Sequence, residues 1–166
     1  MKIGVALTIR PARPADAPTL REIIGQAWQT SYSPIVGATN VDQMADTLLN
    51  DMSLRRLIVD SSFDTPIAMC AGAPAATAMA RLVDNYLHVM RLYVLPAFQG
   101  QGVGVALLNW LLARQRIGIA VRLEVVAANH GALRFYDREG FVDIGGGREI
   151  IGGVPFDIRR LERRGH

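Results

Sequence analysis

The stretch Pro96-Ala97-Phe98-Gln99-Gly100-Gln101-Gly102-Val103-Gly104 decides how this chain folds. Before it, residues 86–95 are mostly apolar, and this pattern predicts a strand. After it, residues 103–116 carry leucines at helical spacing, which predicts an amphipathic helix closed by Gly118. A strand, a glycine-rich turn and a helix therefore follow one another directly.

The turn has the chemistry of an anion-binding site. The first amides of a helix have no partner inside it, and the helix dipole adds partial positive charge there. Three alternating glycines, Gly100, Gly102 and Gly104, let the backbone approach a ligand closely and adopt positive φ. The pattern therefore predicts a nest of N–H groups that suits a pyrophosphate.

Other functions share parts of this pattern. A dinucleotide-binding G-x-G-x-x-G turn would need glycine at Val105 or Leu107, and it would open a first βαβ unit rather than lie this late in the chain. A P-loop and a pyridoxal enzyme each need a lysine, and Lys2 is the only one. A tight turn that binds no ligand stays open on the turn alone.

The remaining pattern mixes helices and strands, with a break at Ser33-Pro34 and Gly37. Strands are predicted at 8–10, 57–60, 66–72, 121–126, 141–144 and 156–161, and helices at 17–28, 41–50 and 132–139. Residues 57–72 are expected to form a hairpin, Asp16 to cap the first helix, and 73–80 has no assignment. Residues 86–126 form a strand–helix–strand unit, so its strands should be parallel. We expect one α+β domain over 1–166.

Composition limits the classes further. The chain has 166 residues, of which 50% are hydrophobic and 20% charged, with a net charge of +3. No apolar run spans a bilayer and residues 1–7 are too short for a signal peptide, so we expect a cytoplasmic protein without a membrane partner. Cys70 is expected to be a buried core thiol. His130 and His166 lack metal-ligand spacing, so no metal is expected.

The turn resembles a family signature. Gln99-Gly100-Gln101-Gly102-Val103-Gly104 is similar to the Q/R-x-x-G-x-G/A acetyl-CoA signature of GNAT-type (GCN5-related) N-acetyltransferases. A second block of that family follows at Asn129, Ala132, Phe135-Tyr136 and Gly140-Phe141. The N-terminal part of the chain also resembles the start of the family's sequences, at Ile9-Arg10-Pro11-Ala12, Asp16, Trp28 and Tyr32. This resemblance covers nearly the whole chain. It implies a central mixed, twisted sheet with helices on both faces and two parallel strands splayed apart at the cofactor site.

The resemblance implies acetyl-CoA (coenzyme A) as co-substrate. Backbone amides would hold its pyrophosphate, here those of Gln99, Gly100, Gly102, Val103, Gly104 and Val105. Leu92 and Val94 would pair with the pantetheine arm like an added strand, and Asn129 would hydrogen-bond it. The strands at 86–95 and 121–126 should then diverge near Val94. Gln101 departs from the family, because relatives often carry a cation there.

The resemblance also implies acetyl transfer to a primary amine by direct attack. Tyr136 resembles the general acid that protonates the departing thiolate. His88 lies where some relatives carry a glutamate as base, and histidine titrates near neutral pH. Trp28, Tyr32 and Phe156 would line the acceptor pocket. The acceptor itself stays open between a small molecule, a peptide N-terminus and a lysine, although no acidic cluster favours a polycation.

Two other functions stay open. The first is a non-catalytic sensor that binds acyl-CoA on the same fold. The second is a nucleic-acid module that uses the arginines near the C-terminus, which are Arg159, Arg160, Arg163 and Arg164. A solvated basic end is the simpler interpretation, so we expect no nucleic-acid partner. Formation of a homodimer is also left open.

Overall fold

The computed structural model describes residues 6–165, so His166 and all but the end of the N-terminal run 1–7 lie outside it. Strands of the described chain are β1 (Leu7–Pro11), β2 (Pro66–Cys70), β3 (Ala73–Val83), β4 (Tyr86–Val94), β5 (Ala120–Val126), β6 (Val142–Ile151) and β7 (Val154–Arg163). Its α-helices are α1 (Ala17–Val36), α2 (Ala38–Leu48), α3 (Asp51–Val59), α4 (Val103–Leu112) and α5 (His130–Arg138).

The strands form one mixed sheet in the order β1-β2-β3-β4-β5-β7-β6. Within the described residues only β4 and β5 run parallel, as the strand–helix–strand pattern predicted. Buried side chains of α4, such as Leu107 and Leu111, pack on one face of the sheet. Those of α1, such as Leu20, Ile24 and Trp28, pack on the other. The predicted α+β fold with helices on both faces is confirmed.

A bulge in β4 changes the direction of its side chains. The register with β3 skips Met90, which therefore adds one residue to the strand. Leu87 and Val89 before the bulge and Leu92 and Val94 after it all pack with the core on the α4 face. The alternation of side chains between the two faces of the sheet thus shifts by one residue at Met90, so residues 91 and 93 lie on the α1 face.

The strand predicted at 57–60 is wrong, because residues 51–59 form α3. Asn50 caps this helix, its side chain accepting the N–H of Ser53 at 3.0 Å. Leu57 to Val59 is a short apolar run, and such a run is compatible with either a strand or a buried helical turn. The hairpin instead joins β2 to β3, the segment left without assignment.

The alanines of β3 are explained by its position. Ala75, Ala76, Ala78 and Ala80 are at most 1% exposed, in a strand that contacts both α1 and α4. Small side chains let the two helical layers approach a central strand closely. Local alternation cannot reveal this, because both faces of the strand are buried.

Helix α1 continues past its predicted end at residue 28 and past Ser33-Pro34, to Val36. It ends at Gly37, whose φ is +86°. Asp16 precedes this helix, but its carboxylate accepts hydrogen bonds from Arg10 and from the N–H of Arg13 rather than from α1. Helix α4 ends at Leu112, four residues before the predicted end.

Strand β6 includes the glycine tract that was predicted to follow it. A Cβ on Gly146 or Gly147 would lie 2.6 Å and 2.7 Å from guanidinium nitrogens of Arg159 and Arg160 on β7. The glycines therefore make room for arginine side chains that lie across the strand. Cys70 is buried, as expected. No helix between residues 6 and 165 is long and apolar enough to cross a membrane.

Candidate active site

The two parallel strands separate partway along their length. Tyr86–His88 of β4 pair with Ala120–Arg122 of β5, and in the described chain no pairing between them continues beyond His88. The rest of β4, from Val89 to Val94, thus has no strand partner on this side. The predicted splay is present, and it begins closer to the start of β4 than the expected position near Val94.

The free edge of β4 presents backbone groups to this gap. Leu95 donates its N–H to Ala75 on the β3 side at 2.9 Å. Successive residues of a strand direct their N–H and C=O groups to opposite edges. Leu92 and Val94 therefore direct theirs into the gap. The Gln99 side chain donates to the Val94 carbonyl at 3.0 Å and ties the glycine turn to this edge.

The turn itself has the predicted open donors. Gly100 and Gly102 adopt φ of +74° and +81°, and Gly102 precedes the first residue of α4. No N–H of residues 100–105 donates to a protein acceptor in the part of the chain that the structure describes. The N–H of Gln99 differs, because it donates to Pro96 at 3.3 Å. An anion at this turn would meet several unpaired donors and the positive end of α4.

Gly104 has a packing reason to be glycine. A Cβ at this position would lie 3.2 Å from Cζ of Phe135 and 3.6 Å from Cδ2 of Leu92. The first turn of α4 therefore lies against α5 and against β4. This contact brings the turn, the free strand edge and α5 together at the gap.

Asn129 and Tyr136 lie at the start and in the body of α5. Asn129 caps the helix by accepting the N–H of Ala132 at 3.2 Å with its side-chain oxygen. Tyr136 is 7% exposed and packs between Phe135 and Phe141, with ring centroids 5.0 and 5.2 Å away. Burial and, to a smaller extent, the neighbouring Tyr93 raise the pKa of Tyr136, so its hydroxyl keeps its proton at neutral pH.

His88 has a partner that the sequence analysis missed. Its Nε2 lies 2.7 Å from Oε2 of Glu124 on β5, and both side chains are partly exposed. The hydrogen bond with His88 lowers the pKa of Glu124, while desolvation opposes that shift. The sequence could have predicted this contact once the two strands were paired. Parallel pairing sets His88 opposite Arg122, and Glu124 lies two residues further along β5 on the same face.

Trp28, Tyr32 and Phe156 come together on the α1 face. Ring centroids are 6.4 Å apart for Trp28 and Tyr32 and 5.4 Å apart for Tyr32 and Phe156, and all three residues are buried. Tyr93, which the sequence analysis did not select, joins this aromatic cluster 6.2 Å from Trp28. Burial, followed by interactions with Tyr93 and Tyr136, raises the pKa of Tyr32. Tyr136 itself packs with the core on the other face of the sheet.

The C-terminal arginines are engaged within the molecule. Arg159 pairs with Asp143 at 2.7 Å, and Arg164 lies 3.6 Å from Glu162. Arg160 and Arg163 donate to backbone carbonyls. Nothing in this arrangement forms a continuous row of free cations. Among residues 6–165 there is also no group of three His, Cys, Asp or Glu side chains that could hold a metal ion.

Comparison with known proteins agrees with this geometry. Residues 21–141 match the sequence model of the acetyltransferase (GNAT) family. A GCN5-like protein acetyltransferase of Mycobacterium tuberculosis is 38% identical over 77 residues, which are 45% of this chain and 37% of that protein. The match thus spans little more than a third of the length of this curated relative.

Solved structures share the fold. The PaiA N-acetyltransferase of Thermoplasma acidophilum, crystallised with coenzyme A, superposes with a TM-score of 0.79 at 21% identity, over 96% of this chain and 99% of that one. A GCN5-related N-acetyltransferase of Rhodopseudomonas palustris gives 0.77 at 21% identity, over 95% and 94%. These superpositions show that the chain shares the fold of both structures over nearly its whole length.

Proposed function

This chain belongs to the acetyltransferase (GNAT) family, and on that premise we propose that it transfers an acetyl group from acetyl-CoA to a primary amine by direct attack. The acceptor is a small molecule, a peptide N-terminus or a lysine side chain, and the whole chain acts as one domain. A single observation carries the proposal. The amides of residues 100–105 are unpaired, the pairing of β4 with β5 ends at His88, and the first turn of α4 packs against Phe135, the neighbour of Tyr136 on α5.

The residues present fit coenzyme A. Amides of Gly100, Gly102, Val103, Gly104 and Val105 would hold the pyrophosphate, since none has another acceptor. Gln99, whose backbone amide was expected to hold the pyrophosphate as well, would stabilise the turn instead. Its amide is engaged by Pro96, and its side chain fixes the turn against Val94.

The pantetheine arm would lie along the free edge of β4. Leu92 and Val94 would hydrogen-bond it as an added strand would, because their backbone groups face the gap. Asn129 caps α5 through its oxygen, which leaves its amide N–H groups to donate to the arm. Bound acetyl-CoA supplies an activated acetyl thioester.

Tyr136 would donate a proton to the departing sulfur. Its raised pKa keeps the hydroxyl protonated over the physiological range, and it makes no hydrogen bond to another described residue. Phe135 and Phe141 hold the ring from both sides, so the hydroxyl needs little reorganisation. General acids of this kind contribute roughly 100- to 10,000-fold in rate.

His88 would accept the proton that the amine must lose. An amine with a lysine-like pKa is mostly ammonium at pH 7, so a base raises the reactive fraction. Glu124 would orient the imidazole through the 2.7 Å contact. Trp28, Tyr32 and Phe156 would form the apolar floor beside which the acceptor binds, with Tyr93 at its edge.

The decisive experiment measures thiol release from acetyl-CoA against a panel of amines, amino acids, peptides and amine drugs. Turnover that depends on an amine supports transfer, and Tyr136→Phe should then lower kcat without changing the affinity for coenzyme A. Tight binding of coenzyme A without thiol release from any amine would refute catalysis and favour an acyl-CoA sensor.

A further inference from the structure

Two cations flank the proposed base on the sheet. Arg81 on β3 is the direct cross-strand partner of His88 on β4, and Arg160 on β7 is the direct partner of Glu124 on β5. Directly opposite residues share one face of a sheet. Because His88 also contacts Glu124 at 2.7 Å, the four side chains form one row across four neighbouring strands. The row crosses β4 and β5 where their pairing ends, so it borders the gap.

The row is open to solvent. Leu87 and Val89, on either side of His88, are buried on the α4 face, so the row lies on the α1 face. Its two arginines are exposed, and the side chains of His88 and Glu124 are 20% and 29% exposed. An acceptor can therefore reach all four side chains.

Both arginines are positioned without being neutralised. Neither has a carboxylate within salt-bridge distance among residues 6–165. The guanidinium of Arg81 lies 5.7 Å from the ring centroid of Phe63. That of Arg160 donates to the Gly146 carbonyl at 2.8 Å and lies over Gly147, where a Cβ would be 2.7 Å from it. Two uncompensated positive charges thus remain on the two sides of the His88–Glu124 pair.

The next row along the same strands differs, because it is neutralised internally. Arg122 of β5 pairs with Glu162 at 2.7 Å and lies 4.5 Å from the ring centroid of Tyr86. Strands β3 and β4 contain no acidic residue. Glu149 shares the α1 face with its partner Phe156, but it lies on β6, three strands from β4. The unpaired charge beside the proposed base therefore comes from the two arginines of the first row.

We propose that the acceptor is an acidic peptide segment, with a carboxylate on each side of the lysine that is acetylated, and that Arg81 and Arg160 bind these carboxylates. The inference rests on the proposed acetyl transfer and names its substrate class. Guanidinium and carboxylate form charge-assisted, bidentate hydrogen bonds. Both arginines have N–H groups left for such bonds, because Arg81 donates to no acceptor in the described chain and Arg160 donates only through Nη1.

Spacing across the sheet favours this class of acceptor. Neighbouring strands lie about 4.8 Å apart, and Arg81 lies one strand and Arg160 two strands from β4. In an extended peptide, residues two positions apart are about 7 Å apart. Carboxylates two residues before and two residues after the lysine therefore come within reach of the long arginine side chains. A peptide N-terminus has neighbours on one side only, and a polyamine would be repelled by both arginines.

The test compares three blocked heptapeptides in the thiol-release assay. Each has one central lysine and glycine elsewhere, except that the residues two positions away on both sides are aspartate, asparagine or arginine. At low salt the wild type should prefer the aspartate peptide over the asparagine peptide by about two- to twentyfold in kcat/KM, mainly through KM. The arginine peptide should be the poorest. About 0.5 M NaCl should reduce these differences, because the charges are exposed.

Variants assign the preference to the two arginines. Arg81→Gln and Arg160→Gln should each lower it about 1.5- to fivefold and leave the rate with the asparagine peptide within about twofold of wild type. Arg81→Lys and Arg160→Lys keep the charge and should keep most of the preference. A peptide with aspartate on one side only should depend on one arginine only. Arg159→Gln is the matched control, because Arg159 pairs with Asp143 at 2.7 Å and lies on the other face.

The outcomes separate the two proposals. Equal kcat/KM for the three peptides, or an equal loss of preference in Arg159→Gln, would overturn the acidic acceptor while acetyl transfer stands. Parallel losses with the aspartate and asparagine peptides in Arg81→Gln and Arg160→Gln would also overturn it, since they would show a general structural role. If coenzyme A binds but neither these peptides nor any other amine is acetylated, the proposed function fails and the acidic acceptor fails with it.

Discussion

Replacing Gly100 by alanine perturbs the cofactor turn with little else changed. Gly100 has φ of +74°, and an added Cβ would meet no heavy atom within 4 Å. Steric overlap is therefore absent, and the cost is the strain of holding an alanine in the left-handed region, about 1–2 kcal/mol. Gly72 in the β2–β3 turn is a matched control, with φ of +79° and equally open space around its Cβ.

Gly72→Ala should lose about 1–2 kcal/mol of unfolding free energy, which lowers the melting temperature by several degrees in a protein of this size. Gly100→Ala should lose less, because its turn can relax when no coenzyme A is bound. Their coenzyme A affinities should differ. In Gly100→Ala the free turn relaxes toward negative φ, and binding must restore the strained form that aims the amides. That requirement should weaken the Kd about five- to thirtyfold, whereas Gly72→Ala should bind as the wild type does.

Isothermal titration with coenzyme A, together with thermal unfolding of the same samples, measures both effects. The reasoning fails if Gly100→Ala loses stability as Gly72→Ala does and yet keeps wild-type affinity. The turn would then be strained for a reason other than holding a diphosphate.

Three further changes test the proton-transfer groups and the start of α1. Tyr136→Phe should lower kcat by about a hundred- to ten-thousandfold with an unchanged Kd for coenzyme A; an unchanged kcat in stopped-flow thiol release would remove Tyr136 from the mechanism. Glu124→Gln should lower kcat about tenfold or more while His88 stays in place, as judged by its NMR signals, and full activity would show that the contact is only structural. Asp16→Asn should destabilise the protein by about 1–2 kcal/mol, because its carboxylate accepts a bidentate pair from Arg10 at 2.7 and 3.0 Å. The pKa of Asp16 is lowered, chiefly by that hydrogen bond. The stabilisation is therefore present above the unfolded-state pKa and is lost as the pH falls through the folded-state pKa. A difference in unfolding free energy between wild type and variant that persists in denaturant melts well below pH 4 would contradict this assignment.

Local sequence was sufficient where the structure depends on local chemistry. The glycine turn, β4, β5 and α5 follow from periodicity, from the need for positive φ at Gly100 and Gly102, and from the capping side chain of Asn129. The parallel pairing and the splay also follow, the first from the length of the crossover and the second from the family resemblance.

Tertiary packing decided the rest. β3 is rich in alanine because helices pack against both of its faces. A strand that is buried on both faces has no alternating pattern of polar and apolar residues. The bulge at Met90 determines which face Arg91 and Tyr93 occupy, and an extra residue in a strand has no composition signal there. Glu124 becomes visible only when β5 is set beside His88.

A crystal structure with coenzyme A tests the central claim most directly. We expect diphosphate oxygens within hydrogen-bond distance of the amides in residues 100–105, the arm along Leu92 and Val94, and the sulfur beside the Tyr136 hydroxyl. Coenzyme A bound elsewhere, or a sulfur out of reach of Tyr136, would contradict the account.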